Sequence, residues 1–392
     1  MKRTCMTIIN KAALVIFLSI LFAKGYAQEE YKDPKNRSFV ETFEGGLFHE
    51  VVKYPNIKFK KHPKNIILLI GDGMGISQVF AGMTANKGQL NLENFKHCGY
   101  SRTQSADNYV TDSAAGGTAL ACGVKTNNGA VGVDERGVPV ENIRERAASK
   151  GMKTGVVTSA LVNHATPAVF LAHRANRNMY EEIALDIVNS NVDVAIGGGR
   201  THFENRKDGL NLSDSLAHKG VKVTYNIDQF EAVNQGRVVG LFANMHVEHY
   251  PERGHMLPRA TAHAINLLKE DKDGFFLMVE ASKIDAGGHQ NKTPFITKEM
   301  LDFDQVIGAA LEFAAKEKNT LVIVTADHET GGMCNTDGNF ETGEVKAQYV
   351  YGKHTGDPVP VFAFGPKAEW FTGFMENTDI AEMLKALINK NY

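Results

Sequence analysis

Cysteine is scarce in this chain, with only four among 392 residues. Cys5 lies in an apolar N-terminal segment, which leaves Cys98, Cys122 and Cys334, an odd number that allows at most one bridge within the chain. Disulfides therefore cannot be the framework of the fold. With 43% hydrophobic and 22% charged residues, the composition is typical of a globular protein that buries a large core.

An excess of either charge is also lacking. The chain has 43 basic and 45 acidic side chains and a formal net charge of −2. Proteins that bind nucleic acid usually carry a basic patch or stripe, and this balance argues against such a partner. The short basic segment from Lys58 to Lys64 has no aromatic interleaving beyond Phe59 and is typical of a solvated surface.

Long hydrophobic runs are missing as well. The most apolar segment, Ala12 to Phe22, has about eleven residues, whereas a membrane-spanning helix needs roughly 20. Lys2, Arg3 and Lys11 flank this run on one side, and Gly25 to Ala27 on the other is a small-x-small cleavage pattern. We therefore expect residues 1–27 to be a signal peptide, the mature protein to have no membrane span, and the protein to be exported to the periplasm or secreted.

No internal repeat and no low-complexity linker divides the remaining sequence. Residues 28–64 are polar and weakly patterned, which indicates an extended arm or a peripheral hairpin. From Asn65 onward, apolar runs rich in β-formers alternate with segments of helical periodicity, which predicts one catalytic domain over residues 65–392. The strands start with the run after Asn65 and continue at Thr154–Thr158, Val192–Ile196, Val238–Phe242, Phe275–Val279, Leu321–Thr325 and Val359–Phe364.

Helical spacing of apolar residues is clearest at Arg259–Lys269, Lys298–Lys316 and Asp379–Ile388. Strands that alternate with helices predict an α/β fold with a mostly parallel central β-sheet flanked by helices on both faces. In such sheets, active sites lie at the carboxyl ends of the strands. The residues that follow each strand are therefore the first candidates for function.

The stretch from Val110 to Cys122, VTDSAAGGTALAC, places one serine, Ser113, where a helix should begin. Small residues allow a backbone to approach a ligand closely, and the free amide groups of a first helical turn attract anions. Ser113 could therefore lie beside a bound phosphate. A purely structural interpretation, in which Asp112 or Ser113 only caps the helix, stays open at this point.

Acidic residues and histidines cluster after three of the predicted strands. Crowded carboxylates resist burial unless a cation neutralises them, and Asp, His and water are ligands that zinc accepts in catalytic sites. This pattern predicts two zinc sites at one edge of the sheet. The candidate ligands are Asp72, Glu280, Asp285, His289, Asp327, His328 and His354.

A further segment, Asn163 to Arg177, contributes a hydroxyl at Thr166 and a guanidinium at Arg177. Hard oxygen ligands such as Thr166 suit magnesium, and the planar fork of arginine suits phosphate. Read alone, Arg177 could equally be a surface residue of a helix.

Taken together, these motifs resemble those of the alkaline phosphatase family over about Asn65 to Pro366. The matching segments are IGDGMG with Asp72, DSAAGGTALACGVKT with Ser113, HATPA with the downstream Arg177, VEASKID followed by His289, TADHETGG, and HTGDPVPVFAFGP with His354. The resemblance implies hydrolysis of phosphate monoesters with release of inorganic phosphate. It also implies the three-layer αβα fold of that family and a homodimer.

Carried over position by position, the resemblance makes Ser113 the nucleophile that forms a covalent phosphoserine, and makes Arg177 the phosphate ligand. It implies two Zn²⁺ and one Mg²⁺ per chain. Asp285, His289 and His354 would hold one zinc. Asp72, Asp327 and His328 would hold the other. Asp72 would also reach the magnesium, which Thr166 and Glu280 complete.

Two positions depart from the common family pattern. Ala286 stands where many members have lysine or histidine that reaches the phosphate through water, which predicts weaker phosphate binding. The resemblance implies that His164 lies in the shell around the magnesium, at a position where members have aspartate or histidine.

Two other functions fit part of the same pattern. A phosphodiesterase or sulfatase-like hydrolase can share the fold, because fold alone does not determine the reaction. A protein that binds phosphate or metal without turnover could keep the same ligands, although the presence of Ser113 argues against it.

Overall fold

The structure is a computed structural model that describes residues 40–390. The predicted signal peptide, residues 1–27, and the first part of the predicted arm lie outside the described residues. Within residues 40–390, no helix is both long and apolar enough to cross a membrane.

The described chain contains fifteen strands. They are β1 (Glu41–Phe43), β2 (Asn65–Gly71), β3 (His97–Arg102), β4 (Lys153–Leu161), β5 (Val194–Gly198), β6 (Lys222–Thr224), β7 (Val238–Leu241), β8 (Phe275–Ala281), β9 (Thr320–Thr325), β10 (Glu329–Thr330), β11 (Met333–Asn339), β12 (Glu344–Tyr349), β13 (His354–Thr355), β14 (Val359–Phe364) and β15 (Gly373–Glu376).

Twelve α-helices and two short 3₁₀ turns, Asn91–Asn94 and Ala368–Phe371, connect the strands within the described residues. The helices are α1 (Ile76–Ala85), α2 (Ser113–Cys122), α3 (Ile143–Ser149), α4 (Ala165–Ala168), α5 (Tyr180–Asn189), α6 (Thr201–Glu204), α7 (Leu212–His218), α8 (Ile227–Glu231), α9 (Met256–Leu268), α10 (Lys283–His289), α11 (Thr293–Glu317) and α12 (Asn377–Asn389).

Ten of the strands form one sheet in the order β15-β3-β14-β9-β2-β8-β4-β5-β7-β6. Only β14 runs antiparallel to its neighbours β3 and β9, and all other adjacent pairs are parallel. The prediction of a mostly parallel sheet is therefore confirmed. All seven predicted strands belong to this sheet, and β2 lies near its centre.

The strands that the sequence pattern missed lack a continuous apolar run. In β3, buried and exposed residues alternate, while β6 and β15 are short edge strands with exposed positions. A separate three-stranded sheet, β1-β12-β11, and the two-residue pair β10-β13 were also not predicted. Strands such as β3, β6 and β15 bury one face or none, and β10 and β13 have only two residues each, so their hydrophobic signal is weak.

Hydrophobic residues pack on both faces of the central sheet. Along β2, Ile67 and Leu69 point into a core shared with α1, α9 and α11. Ile66, Leu68 and Ile70 point into the opposite core, which α2, α3, α5 and α12 cover. Alternation along a strand sends successive side chains to opposite faces, so a strand buried on both faces reads as a continuous apolar run. The result is the three-layer αβα arrangement.

Residues 44–64 precede the central sheet and contain no helix or strand. Before them, β1 pairs antiparallel with β12 at an edge of the small sheet. His49 Nε2 lies 2.7 Å from the buried carboxylate of Asp304 on α11. Leu47, Tyr54, Ile57 and Phe59 pack against the core from outside, so this segment crosses the surface of the domain.

Candidate active site

The carboxyl ends of three adjacent parallel strands bring three acidic residues together. Asp72 follows β2, Glu280 lies near the end of β8, and Asp327 follows β9. Their side chains are at most 1% exposed. Because β8 and β9 flank β2 on either side, the three carboxylates share one edge of the sheet.

Ser113 is the first residue of α2. Asp112 caps this helix by accepting a hydrogen bond from the amide of Ala115 at 2.9 Å. The Ser113 hydroxyl lies 3.1 Å from Nε2 of His328. A Cβ atom at Gly116 would come within 2.8 Å of the Asp327 carbonyl oxygen, so glycine is required for this helix to approach the end of β9.

Backbone carbonyl groups determine the tautomers of two histidines. Nδ1 of His289 lies 3.1 Å from the Gly352 oxygen, and Nδ1 of His354 lies 2.9 Å from the Thr111 oxygen. A carbonyl can only accept, so each Nδ1 carries the proton. In the neutral form of each ring, Nε2 keeps a lone pair, and these two nitrogens lie 3.2 Å apart.

His328 has the same tautomer for a different reason. Thr330 donates its only hydroxyl proton to Oδ1 of Asp285 at 2.6 Å. The Thr330 oxygen lies 3.2 Å from Nδ1 of His328, so it must accept from that nitrogen. Nε2 of His328 is then the acceptor for the Ser113 hydroxyl.

The free nitrogens and carboxylates form two groups with the spacing of metal ligands. In the first, Oδ1 of Asp285 lies 3.3 Å from Nε2 of His289 and 3.4 Å from Nε2 of His354. In the second, Nε2 of His328 lies 3.5 Å from Oδ1 of Asp72 and 3.4 Å from Oδ2 of Asp327. The three residues that all lie at ligand spacing of one another in the second group are Asp72, Asp285 and His328, so Asp285 belongs to both groups. Asp327 lies beside the second group through its contact with His328.

Four of the predicted metal ligands have a buried oxygen without a hydrogen-bond partner among the described residues. The atoms are Oδ1 of Asp72, Oγ1 of Thr166, Oε1 of Glu280 and Oδ2 of Asp327. Buried polar atoms are nearly always paired, so such a cluster indicates that another group completes it. Buried carboxylate and hydroxyl oxygens that lack partners fit divalent cations, and imidazoles whose Nδ1 is held by a carbonyl or hydroxyl oxygen fit a zinc site.

The pKa values of these groups show how strongly the site requires positive charge. Burial is the main cause that raises the pKa of Asp72 well above its ordinary value, and the charges of Asp327 and Asp285 add to it. Burial also raises the pKa of Glu280 and that of Asp327, each to about 7. Burial and the neighbouring His354 lower the pKa of His328 well below its ordinary value, which keeps its imidazole neutral.

Asp285 behaves differently. Burial works to raise its pKa, but the hydrogen bond with His354 and the charges of three histidines outweigh burial and hold the pKa below its ordinary value. Burial likewise works to lower the pKa of His354, and its bond with Asp285 raises the pKa above the ordinary value. These two residues therefore behave as a carboxylate–imidazole pair.

Arg177 lies in a turn before α5, not on a helix, and its side chain is 21% exposed. Its Nη1 donates to Oδ2 of Asp112 at 2.9 Å, and Nη2 lies 3.5 Å from Nε2 of His164. Asp112 thus uses one oxygen for the helix cap and the other for Arg177. His164, the residue before α4, has a pKa lowered to about 3 by burial and by the charge of Arg177.

The structure adds polar residues that the sequence analysis did not assign to the site. Thr158, near the end of β4, donates its hydroxyl to Oε2 of Glu280. Thr330 links Asp285 and His328, and Asp112 orients Arg177. The threonines have no motif of their own, but both lie within a few residues of a strand end at the crowded edge, which is the signal that could have suggested them.

Comparisons with known proteins identify the family of the chain. The family model for alkaline phosphatase matches residues 63–350. Alkaline phosphatase 4 of Bacillus subtilis (strain 168) is 33% identical over 410 residues, which cover 83% of this chain and 88% of that protein. The alkaline phosphatase of Escherichia coli (strain K12) is 31% identical over 411 residues, covering 84% of this chain and 86% of that protein.

Solved structures of alkaline phosphatases show the same fold. The alkaline phosphatase from the Antarctic bacterium TAB5 superposes with a TM-score of 0.80 at 39% identity, covering 85% of this chain and all of that one. A mutant of the TAB5 enzyme with Mg bound in its M3 site has a TM-score of 0.79 at 37% identity, covering 85% of this chain and 99% of that one. The chain belongs to the alkaline phosphatase family and is therefore a phosphoric monoester hydrolase.

Proposed function

We propose that this enzyme hydrolyses phosphate monoesters through a covalent phosphoserine at Ser113, in a site that holds two Zn²⁺ and one Mg²⁺. The observation that carries the proposal is the position of the Ser113 hydroxyl. It stands at the start of α2, 3.1 Å from Nε2 of His328, beside buried carboxylate oxygens that have no partner among the described residues.

The donor atoms divide into three sets. Asp285, His289 and His354 would hold one zinc. Asp72, Asp327 and His328 would hold the second. Asp72, Thr166 and Glu280 would hold magnesium. When bound, these cations would supply Lewis-acid stabilisation of the attacking and leaving oxygens and neutralise charge on the transferred phosphoryl group.

Ser113 supplies the nucleophile. Its oxygen forms a bond to phosphorus while the ester oxygen leaves as the alcohol or phenol, and water then cleaves the phosphoserine to release phosphate and restore the hydroxyl. The Nε2 lone pair of His328 that accepts a hydrogen bond from the Ser113 hydroxyl is the one a metal would take. His328 therefore cannot act as the general base in the loaded enzyme.

Arg177 would bind phosphoryl oxygens. Its bond to Asp112 restrains one edge of the guanidinium, which restricts the orientations available to the side chain. A planar, restrained guanidinium offers parallel donors to two phosphoryl oxygens. Ala286 adds no charged group to the site, and this supports weaker phosphate binding than in members that carry a basic residue there.

The competing hypothesis for the preferred substrate is a phosphate diester, as in a phosphodiesterase of the same superfamily. The three cations and Arg177 would neutralise a dianionic monoester end, which a diester lacks. We expect hydrolysis of an aryl phosphate to exceed that of the matching aryl diester. A diester-to-monoester ratio of kcat/KM above one would reject the monoesterase assignment.

Elemental analysis of the purified protein, combined with aryl phosphate hydrolysis before and after chelation, tests the metal site. We expect about two zincs and one magnesium per chain from the three donor sets, loss of activity on chelation, and recovery when zinc and magnesium are restored. Activity that survives complete removal of the metals would contradict the proposal.

We also propose that the protein is exported and forms a homodimer. The charged and apolar pattern of residues 1–27 supports export, and the family resemblance supports the dimer. N-terminal sequencing of the protein from the producing cell should begin after Ala27. Light scattering at micromolar concentration should give twice the mass of the mature chain.

A further inference from the structure

One exposed aromatic side chain lies close to the nucleophile in sequence. Tyr109 precedes Ser113 by four positions, and it is 78% exposed. Its hydroxyl has no hydrogen-bond partner among residues 40–390. An aromatic ring this exposed gains little from folding, because most of its apolar surface remains in water.

The backbone around Tyr109 is nevertheless held firmly. The amide of Val110 donates to Oδ1 of Asn108 at 3.1 Å, and the side-chain amide of Asn128 donates to the Val110 oxygen at 3.0 Å. Asn128 Oδ1 also accepts from the amide of Asp112 at 3.0 Å. Tyr109 is therefore presented on a loop whose position is determined by the same contacts that position Ser113.

The ring of Tyr109 lies against the segment that carries His354. A Cβ atom added at Gly356 would come within 2.3 Å of the ring atom Cε1, so the ring can lie there only because Gly356 has no side chain. From the same segment, Tyr351 donates its hydroxyl to the His354 oxygen at 2.7 Å and is itself 41% exposed. The Tyr109 ring thus lies against the residue two positions after His354, and Tyr351 binds the backbone of His354 itself.

This side of the site is the open one. The side chain of His289 is 43% exposed and that of Asp285 is 17% exposed, whereas those of His328 and Asp327 are fully buried. A phosphate ester bound to Ser113 can extend its organic group only towards solvent. The group formed by Asp285, His289 and His354 is the more exposed of the two, so it is on the side where the leaving group must lie.

We propose that Tyr109, with Tyr351, forms an aromatic rim that binds planar aromatic leaving groups, so that the enzyme favours aryl or heteroaryl phosphate monoesters over alkyl ones. This inference rests on the proposed function, and it adds a substrate class to it. Aromatic faces attract other aromatic rings through offset or edge-to-face contacts in addition to apolar burial. An alkyl leaving group such as glycerol makes no such contact.

The test compares phenyl phosphate with glycerol 2-phosphate on the metal-loaded enzyme. Tyr109→Ala should lower kcat/KM for phenyl phosphate about three- to tenfold, the range expected for loss of one aromatic contact. It should leave kcat/KM for glycerol 2-phosphate unchanged, because the rim does not touch the reacting atoms. In the same variant, competitive inhibition by phenylphosphonate should weaken by the same factor as kcat/KM for phenyl phosphate. Inhibition by methylphosphonate, which has no ring, should stay unchanged.

Two further variants separate a local effect from a general one. Gly356→Ala should displace the Tyr109 ring without removing it. It should therefore lower kcat/KM for phenyl phosphate, but by less than Tyr109→Ala does. Phe374→Ala is the matched control, since Phe374 is 72% exposed but stacks on Tyr100 at the β15 edge. Phe374→Ala should change kcat/KM neither for phenyl phosphate nor for glycerol 2-phosphate.

An equal fall for both substrates, or no change in their ratio, would overturn the aromatic rim while leaving the proposed function standing. A parent enzyme that hydrolyses neither ester when loaded with metal would reject the proposed function itself, and the rim with it. The two failures are therefore distinguishable in one set of assays.

Discussion

Thr330 binds Asp285 through a hydrogen bond of 2.6 Å between its hydroxyl and Oδ1 of the carboxylate. The same hydroxyl oxygen lies 3.2 Å from Nδ1 of His328. By resemblance to the family, Asp285 and His328 are expected to bind different zinc ions. Thr330 therefore couples the orientation of a ligand in one group to the tautomer of a ligand in the other.

Replacing Thr330 by valine keeps the shape of this buried side chain and removes both hydrogen bonds. We expect zinc affinity to fall about 10- to 100-fold, the usual effect of losing a hydrogen bond that orients a metal ligand. Thr330→Ser should retain most of the affinity because it keeps the hydroxyl. Zinc titration against a competing chelator measures the change.

A matched control for that variant is Thr297→Val. Thr297 is equally buried, on α11, and its hydroxyl has no hydrogen-bond partner among residues 40–390. Its replacement should leave zinc affinity unchanged. If both variants lost zinc affinity equally, the effect would come from general loosening of the core. The inference that Thr330 couples the two ligand groups would then be wrong.

Ser113→Ala tests the nucleophile. Alanine suits the first turn of a helix, so we expect α2 to form and the metals to stay bound. Hydrolysis of an aryl phosphate should fall by at least on the order of a thousandfold, as for loss of other serine nucleophiles. Labelled phosphate trapped on the parent enzyme by acid quenching should be absent from the variant. Activity near that of the parent would refute the assignment.

Asp112 has two functions that substitutions can separate. Asp112→Asn keeps an oxygen for the helix cap but removes the charge that pairs with Arg177, so thermal stability should change little. We expect phosphate to inhibit this variant about tenfold less strongly, since a charge-assisted bond no longer orients Arg177. The inhibition constant of inorganic phosphate, measured on aryl phosphate hydrolysis by the parent and the variant, gives the size of this change.

Asn142→Ala is the corresponding control for the cap alone. Asn142 caps α3 by accepting from the amide of Glu145 at 2.9 Å, and it has no contact with Arg177. It should lower stability by about 1 kcal/mol and leave phosphate inhibition unaltered. Weakened inhibition in this variant would show that stability, and not Arg177, determines phosphate binding.

Metal binding should release protons in a pH-dependent way. Burial raises the pKa of Asp327 and of Glu280 to about 7, so in the metal-free protein both carboxyls are mostly protonated at pH 6 and mostly ionised at pH 8. A metal binds the ionised form, so it must displace more protons at pH 6 and binds more weakly there. His328, with its pKa lowered well below the ordinary value, is neutral at both pH values and contributes no proton.

Calorimetry of metal binding in buffers of different ionisation enthalpy counts these protons. We expect clearly more protons per chain at pH 6 than at pH 8. Equal release at the two pH values would mean that the carboxyls are already ionised in the metal-free protein.

Much of the fold was readable from the sequence because central parallel strands are buried on both faces. Each such strand is a continuous apolar run, and the acidic residues that follow these runs must meet at one edge of the sheet. The pattern therefore predicted the seven main strands and placed Asp72, Glu280 and Asp327 together. Local sequence also predicted the start of α2 at Ser113, since an acidic cap followed by small residues favours a helix there.

Only the tertiary structure decided how these groups are oriented. Thr330 reaches Asp285 across 45 residues of chain, Arg177 reaches Asp112 across 65, and His354 reaches the Thr111 oxygen across 243. No local pattern encodes a contact between distant segments. Short edge strands such as β15 could not be predicted from the sequence either. They are defined by pairing with a neighbouring strand, and their own side chains carry little hydrophobic signal. The residue types needed for the site were thus evident in the sequence, while their tautomers, charges and orientations depend on the packing that brings them together.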